Sequence, residues 1–96
     1  GEVDAPLASL GQAAEAYRHL GDDAGRAEAL RPRGLAALVA GRLAEADELG
    51  ELGYQASLAA QSLVGQLWFT LQLGRVNIYR GRFATATRWL QEQHTT

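Results

Sequence analysis

Three residue types are missing from this 96-residue chain, and each absence closes a class of chemistry. Without cysteine there are no disulfides, no thiolate metal sites and no thiol nucleophile. Without lysine, all nine basic residues being arginine, there is no P-loop lysine, no Schiff base and no lysine general base. Methionine is absent too, so the sequence contains no start residue and is expected to be a fragment of a longer protein, forming one domain over residues 1–96. Charge is missing locally. Residues 52–74 carry none, about the length of a membrane span. Gln55, Gln61, Gln66 and Gln72, with Ser57, Ser62 and Thr70, interrupt that run. Buried amides are costly in hydrocarbon, so the run is expected to be a buried helix, with no membrane partner, no signal peptide and a cytoplasmic location.

The remaining composition is that of a folded helical chain. Hydrophobic residues make up 47% and charged residues 21%, which argues against disorder. The net charge of −2 gives no overall pull toward nucleic acid. The charge is uneven, however: residues 1–56 hold ten acidic side chains and five arginines, whereas residues 73–96 hold four arginines and only Glu92.

The strongest positive signal is internal repetition. Gly41-Arg-Leu-Ala-Glu-Ala46 returns as Gly81-Arg-Phe-Ala-Thr-Ala86, an offset of 81 − 41 = 40 residues, and a weaker copy stands at Gly11-Gln-Ala-Ala-Glu-Ala16. Gly34 and Gly74 align at the same offset. Repetition at a few tens of residues is the signature of stacked helical hairpins, each burying its apolar face on the next. The periodicity predicts five helices, over about 6–19, 24–40, 43–53, 57–80 and 83–93. Asp4 suits a cap and Pro6 a first turn for the first of these. Gly21, with Asp22 or Asp23, reads as a stop and restart, and Gly41 and Gly81 as hairpin turns. Pro32 predicts a kink or an irregular start ahead of Gly34. In the third helix Ala46 and Leu49 are expected to face inward and Glu45, Asp47, Glu48 and Glu51 outward. The fourth shows one apolar stripe, Ala60, Leu63, Leu67, Leu71, Gly74 and Ile78, widened by Trp68. Ser62, Gln66, Thr70 and Asn77 lie on a different, polar face. Few β-branched residues and no alternation leave no case for a sheet.

No catalytic, metal or cofactor site emerges. His19 and His94 lie at opposite ends of the chain without converging donors. The carboxylates of 45–51 spread over a solvated helix face, and nothing suggests a pocket that would separate their pKa values. The glycines follow hairpin turns rather than cradling a phosphate. Arg75, Arg80, Arg82 and Arg88 with Tyr79 and Trp89 form a basic-aromatic group of the kind that can bind nucleic acid, but pairing with the acidic face of a neighbouring repeat is the expected use. Two surfaces are candidates for a groove or interface. Ser62, Gln66, Thr70 and Asn77, beside Trp68, Phe69 and Tyr79, either line a groove for a peptide or small effector or pack between helices. At the end of the array, Phe83, Ala86, Trp89 and Leu90 would face a hairpin that is not there, which predicts a homodimer through that end unless the last helix folds back on the fourth.

The spacings of 7 and 5 in Gly34, Gly41, Ala46 and again in Gly74, Gly81, Ala86 resemble the tetratricopeptide repeat, with Leu73 and Leu90 also in pattern. Thr70 and Asn77 depart from it where large aromatics are usual, and Gln93 where alanine is, so no peptide-binding residues carry over. The resemblance implies an all-α fold of antiparallel hairpins stacked as a right-handed superhelix. The strings Leu35-Ala-Ala-Leu-Val-Ala-Gly-Arg-Leu-Ala-Glu-Ala and Leu73-Gly-Arg-Val-Asn-Ile-Tyr-Arg-Gly-Arg look like the helical-repeat region of large ATP-dependent LuxR-type (MalT-like) transcriptional regulators of actinobacteria. That resemblance implies a non-enzymatic scaffold partnered by the flanking ATPase and DNA-binding domains of its parent chain. The alternative is a freestanding adaptor that binds a partner's peptide or helix.

Overall fold

The computed structural model describes the backbone of residues 22–95 and the side chains of residues 22–92. Within these, the chain is all-helical: α1 (Asp23–Val39), α2 (Leu43–Ala59), α3 (Leu63–Tyr79) and α4 (Phe83–Thr95), with no strand among the described residues. The described helices number four rather than the expected five. The helix expected over 6–19, with its Pro6, and His19 lie outside the described residues.

The helices begin at 23, 43, 63 and 83, so one helix and its turn occupy twenty residues and the sequence period of 40 contains two such units. All three turns are built alike. The residue at 40, 60 or 80 keeps a right-handed helical conformation, and the next one turns left-handed: Gly41 at φ 78°, Gln61 at 55° and Gly81 at 75°. Gly41 N–H then donates to Leu38 O and Arg42 N–H to Ala37 O, and the same two bonds recur after α2 and α3, ending at Ser57 O and Asn77 O. These bonds satisfy carbonyls that a helix end would otherwise leave open. Side-chain caps start α1 and α3. Asp22 Oδ1 accepts from Gly25 N–H at 2.8 Å and Ser62 Oγ from Gly65 N–H at 3.0 Å.

The turn at Ala60-Gln61 corrects the expected boundaries. The third predicted helix runs on to Ala59 rather than stopping near Gly53, and the fourth starts at Leu63 rather than Ser57. Gln61 sits where the other turns have glycine, so the usual stop signal is missing from the sequence. Gly53 fills a different need: a Cβ there would overlap the Phe69 ring, so it admits close packing of α3 on α2. Pro32 produces no break, α1 being continuous through it. Glu28, whose carbonyl loses its usual donor, is exposed along with Pro32, so water can take the place of the missing N–H.

Each helix packs on its neighbours in sequence, and α1 also touches α3. The core combines alanines of α1 and α2 (Ala37, Ala46 and Ala56 among them) and the larger Leu30, Leu49 and Tyr54 of the same helices with Phe69, Leu73 and Val76 of α3. Ala86 of α4 is also buried, and an added Cβ at Gly74 would meet the side chain of Leu90, so α4 lies closely against α3.

Candidate interaction surface

Helix α3 is inverted relative to an ordinary surface helix. Its buried arc holds Phe69, Leu73 and Val76, but also Gln66, Thr70, Gln72 and Asn77. Its open arc holds Leu63, Val64, Leu67, Leu71, Ile78 and Tyr79. The apolar stripe expected for this helix is thus an outward face, apart from Ala60, which stands in the turn, and Gly74, which is buried. The polar face points into the protein.

The buried polar groups are held in specific ways. Thr70 Oγ1 donates to Leu67 O at 3.0 Å. Asn77 Nδ2 donates to Leu73 O at 2.8 Å and to Asp47 Oδ1 at 3.1 Å, while Arg80 donates to the other Asp47 oxygen at 3.2 Å. This bridge ties α3 to α2 and removes Asp47 from the solvated acidic face. Glu48 and Glu51 stay exposed, and Glu45 accepts from Arg42 at 2.7 Å. Gln72 Nε2 and Asn77 Oδ1 are buried without a partner, an arrangement that costs free energy unless a water or ligand atom reaches them.

On the outer side, Leu35 of α1 with Trp68, Leu71, Gln72 and Arg75 of α3 line a shallow groove between the two helices. Arg31 lies 5.0 Å over the Trp68 ring, whose edge meets Phe69 at 5.0 Å, which holds the indole at the groove wall. A second depression, between α3 and α4, shares Leu71 and Arg75 and adds Ile78, Tyr79 and Leu90. Arg75 is exposed at the junction of the two, with no acidic partner among the described residues.

The residues anticipated for a groove or interface therefore divide into three groups. Gln66, Thr70 and Asn77 pack between helices, and Ser62 caps α3. Trp68 and Tyr79 do line the outer depressions, and Phe83 is exposed. Trp89 and Leu90 are engaged within the chain. Leu90 seats on Gly74, and Trp89 meets Tyr54 edge-on at 5.1 Å. Of the two arrangements expected for the last helix, α4 packs back on α3 through Leu90, while Phe83 remains exposed. Sequence reasoning passed over Leu35, Leu67 and Leu71 as surface residues, because an apolar stripe at helical spacing is normally a buried one.

Among the described residues, Tyr54 carries the one titration shift of note. Burial raises its hydroxyl above the ordinary value of 10.0, helped by the bond it donates to Glu92 Oε1 at 3.1 Å and by the negative charge of that carboxylate. Among the described residues no group of three or more acidic or imidazole side chains converges on a point that could hold a metal ion, and no helix is long and apolar enough to cross a membrane.

No family model matches this chain, and neither a curated protein nor a solved structure does.

Proposed function

We propose that this chain is a non-enzymatic interaction module, a tetratricopeptide-like segment from the scaffold region of a LuxR-type regulator. In this reading it lies in the cytoplasm, and its hairpins continue as a right-handed superhelix between an ATPase module and a DNA-binding module. The observation that carries the reading is the outward apolar face of α3, bordered by Leu35 and Arg75: Leu63, Leu67, Leu71 and Ile78 stand together on the surface, a contiguous apolar patch of the kind that marks an interaction site. The reading frame around the segment tests the origin. A P-loop ATPase upstream and a helix-turn-helix downstream support it, whereas a start codon just before Gly1 and a stop after Thr96 favour a freestanding adaptor. The purified chain is expected neither to hydrolyse ATP nor to shift duplex DNA at physiological salt. Measurable ATP turnover overturns the non-enzymatic reading.

The groove between α1 and α3 favours the adaptor as the second reading. Its apolar walls, Arg75 with no acidic partner among the described residues, and the buried donor of Gln72 suit a peptide or helix bearing an acidic residue beside an apolar one.

A further inference from the structure

The outer face of α3 has an internal symmetry that identifies its partner. At 3.6 residues per turn its open positions, residues 63 to 79, fall within an arc of roughly 160° centred on Leu71. Six of them, Leu63, Val64, Leu67, Leu71, Ile78 and Tyr79, are apolar or aromatic and between 43% and 68% exposed. Val64, Leu71 and Ile78 recur every seven residues, the period of a seam between two helices. Their order is close to palindromic. Counted from Leu71, apolar side chains stand at −8, −7 and −4 and again at +7 and +8, with Arg75 at +4.

We infer that this face pairs with the same face of a second copy of the chain, α3 running antiparallel to its counterpart about a two-fold axis at Leu71. The inference rests on the interaction-module reading and names the partner. In that register Leu71 meets the partner's Leu71, Val64 meets the partner's Ile78, and Leu63 meets the partner's Tyr79. Leu67 meets the partner's Arg75, whose methylene stem covers the leucine while the guanidinium reaches the solvated rim, so no charge is buried. Leu35 and Trp68 border the seam from the groove with α1. The six exposed side chains offer on the order of 600 Å² per copy, near the roughly 800 Å² per partner of a standard interface once the flanking residues are added. A two-fold contact requires one patch to complement itself, and this register sets apolar against apolar at every position but Leu67, which the Arg75 stem covers. The α4 end does not offer such a patch, since Ala86 is buried and Leu90 and Trp89 are already seated on α3 and α2.

The test uses the full 96-residue chain, whose lack of cysteine makes single-cysteine variants clean probes. Sedimentation equilibrium should show a dimer. Leu71→Glu should weaken it by about 100-fold or more, by placing two carboxylates on the axis, with an unchanged helical circular dichroism spectrum because Leu71 is half exposed. Leu71→Cys keeps the apolar character and should be joined into a covalent dimer by a bismaleimide that spans packed helices, about 8–10 Å. Val39→Cys, on a residue 81% exposed at the end of α1, should not. A chain that sediments as a monomer at all accessible concentrations overturns the proposal. So does a dimer that survives Leu71→Glu and leaves Leu71→Cys uncrosslinked, because its seam lies elsewhere. A monomer whose Leu71→Cys thiol resists maleimide assigns the stripe to another part of the chain and also overturns it. A monomer with an open stripe, or a dimer with its seam elsewhere, leaves the module reading standing; a stripe covered by the chain itself removes the observation that carries both, and ATP turnover or the flanking sequence overturns the module reading alone.

Discussion

At the scale of single residues, position 61 is the most informative. The three turns share one backbone path, yet glycine occupies the left-handed position in two of them and glutamine in the third. For a residue with a Cβ that conformation costs roughly 1–2 kcal/mol, partly offset because glycine also loses more entropy on folding. Gln61→Gly should therefore stabilise the fold by about 0.5–1 kcal/mol, raising Tm by a few degrees. Gly41→Ala and Gly81→Ala should do the reverse by a similar amount. Thermal denaturation followed at 222 nm checks all three, and a Gln61→Gly variant with a lower Tm would show that the glutamine side chain contributes more than the strain it imposes. The same position explains why the middle turn was not legible in the sequence. A turn glycine announces itself, whereas a glutamine in a charge-free run reads as continuing helix. The tolerated Pro32 is the converse case, a breaker whose missing hydrogen bond falls on an exposed side of α1.

Among the elements, α3 separates two kinds of buried amide. Asn77 donates to both Leu73 O and Asp47, and so links α3 to α2 through a carboxylate that Arg80 also binds. Gln72 is just as buried, but its Nε2 has no partner. Removing a bonded amide leaves its partners unsatisfied, whereas removing an unbonded one relieves a desolvation cost. Asn77→Ala should destabilise the protein by about 1–3 kcal/mol, while Gln72→Met should be neutral or stabilising by up to about 1 kcal/mol. Urea midpoints at constant m-value would read both. If Gln72→Met instead proves as costly as Asn77→Ala, the Gln72 amide has a partner, such as a bound water, that its surroundings do not reveal. The helical character of residues 63–79 was plain from periodicity, but which arc of the helix was buried was not. A hydrophobic stripe reports that a face needs covering; whether the cover is α2 or something outside the chain is a matter of packing.

At the scale of the whole molecule, the contact of Tyr54 with Trp89 and Glu92 joins α2 to α4, two helices apart in the chain. Its pH dependence has a definite sign. The folded state raises the pKa of Tyr54 above 10.0, so folding favours the protonated phenol. That stabilisation is fully present below the unfolded value and is lost as pH climbs from about 10 through the folded value, where the unfolded chain releases a proton that the native chain retains. Urea denaturation between pH 9 and 11 should show stability falling, and Tyr54→Phe should remove part of the fall. An identical slope in the variant would assign it to other groups.

Much of this architecture follows from local sequence. Helical periodicity, the glycines at 41 and 81 and the capping residues Asp22 and Ser62 act within a few residues of themselves, so they specify helix and turn without knowledge of the rest of the chain. The tertiary structure alone decided which sides of those helices meet. Gly50 and Gly53 on α2 admit Leu73 and Phe69, and that fit turns Leu63, Leu67 and Leu71 of α3 outward and its amides inward. The rotation of α3 about its own axis depends on shape complementarity between residues sixteen or more positions apart, which no local pattern encodes. The same packing seats Leu90 on Gly74, so part of the apolar face of α4 is engaged within the chain while that of α3 stands open.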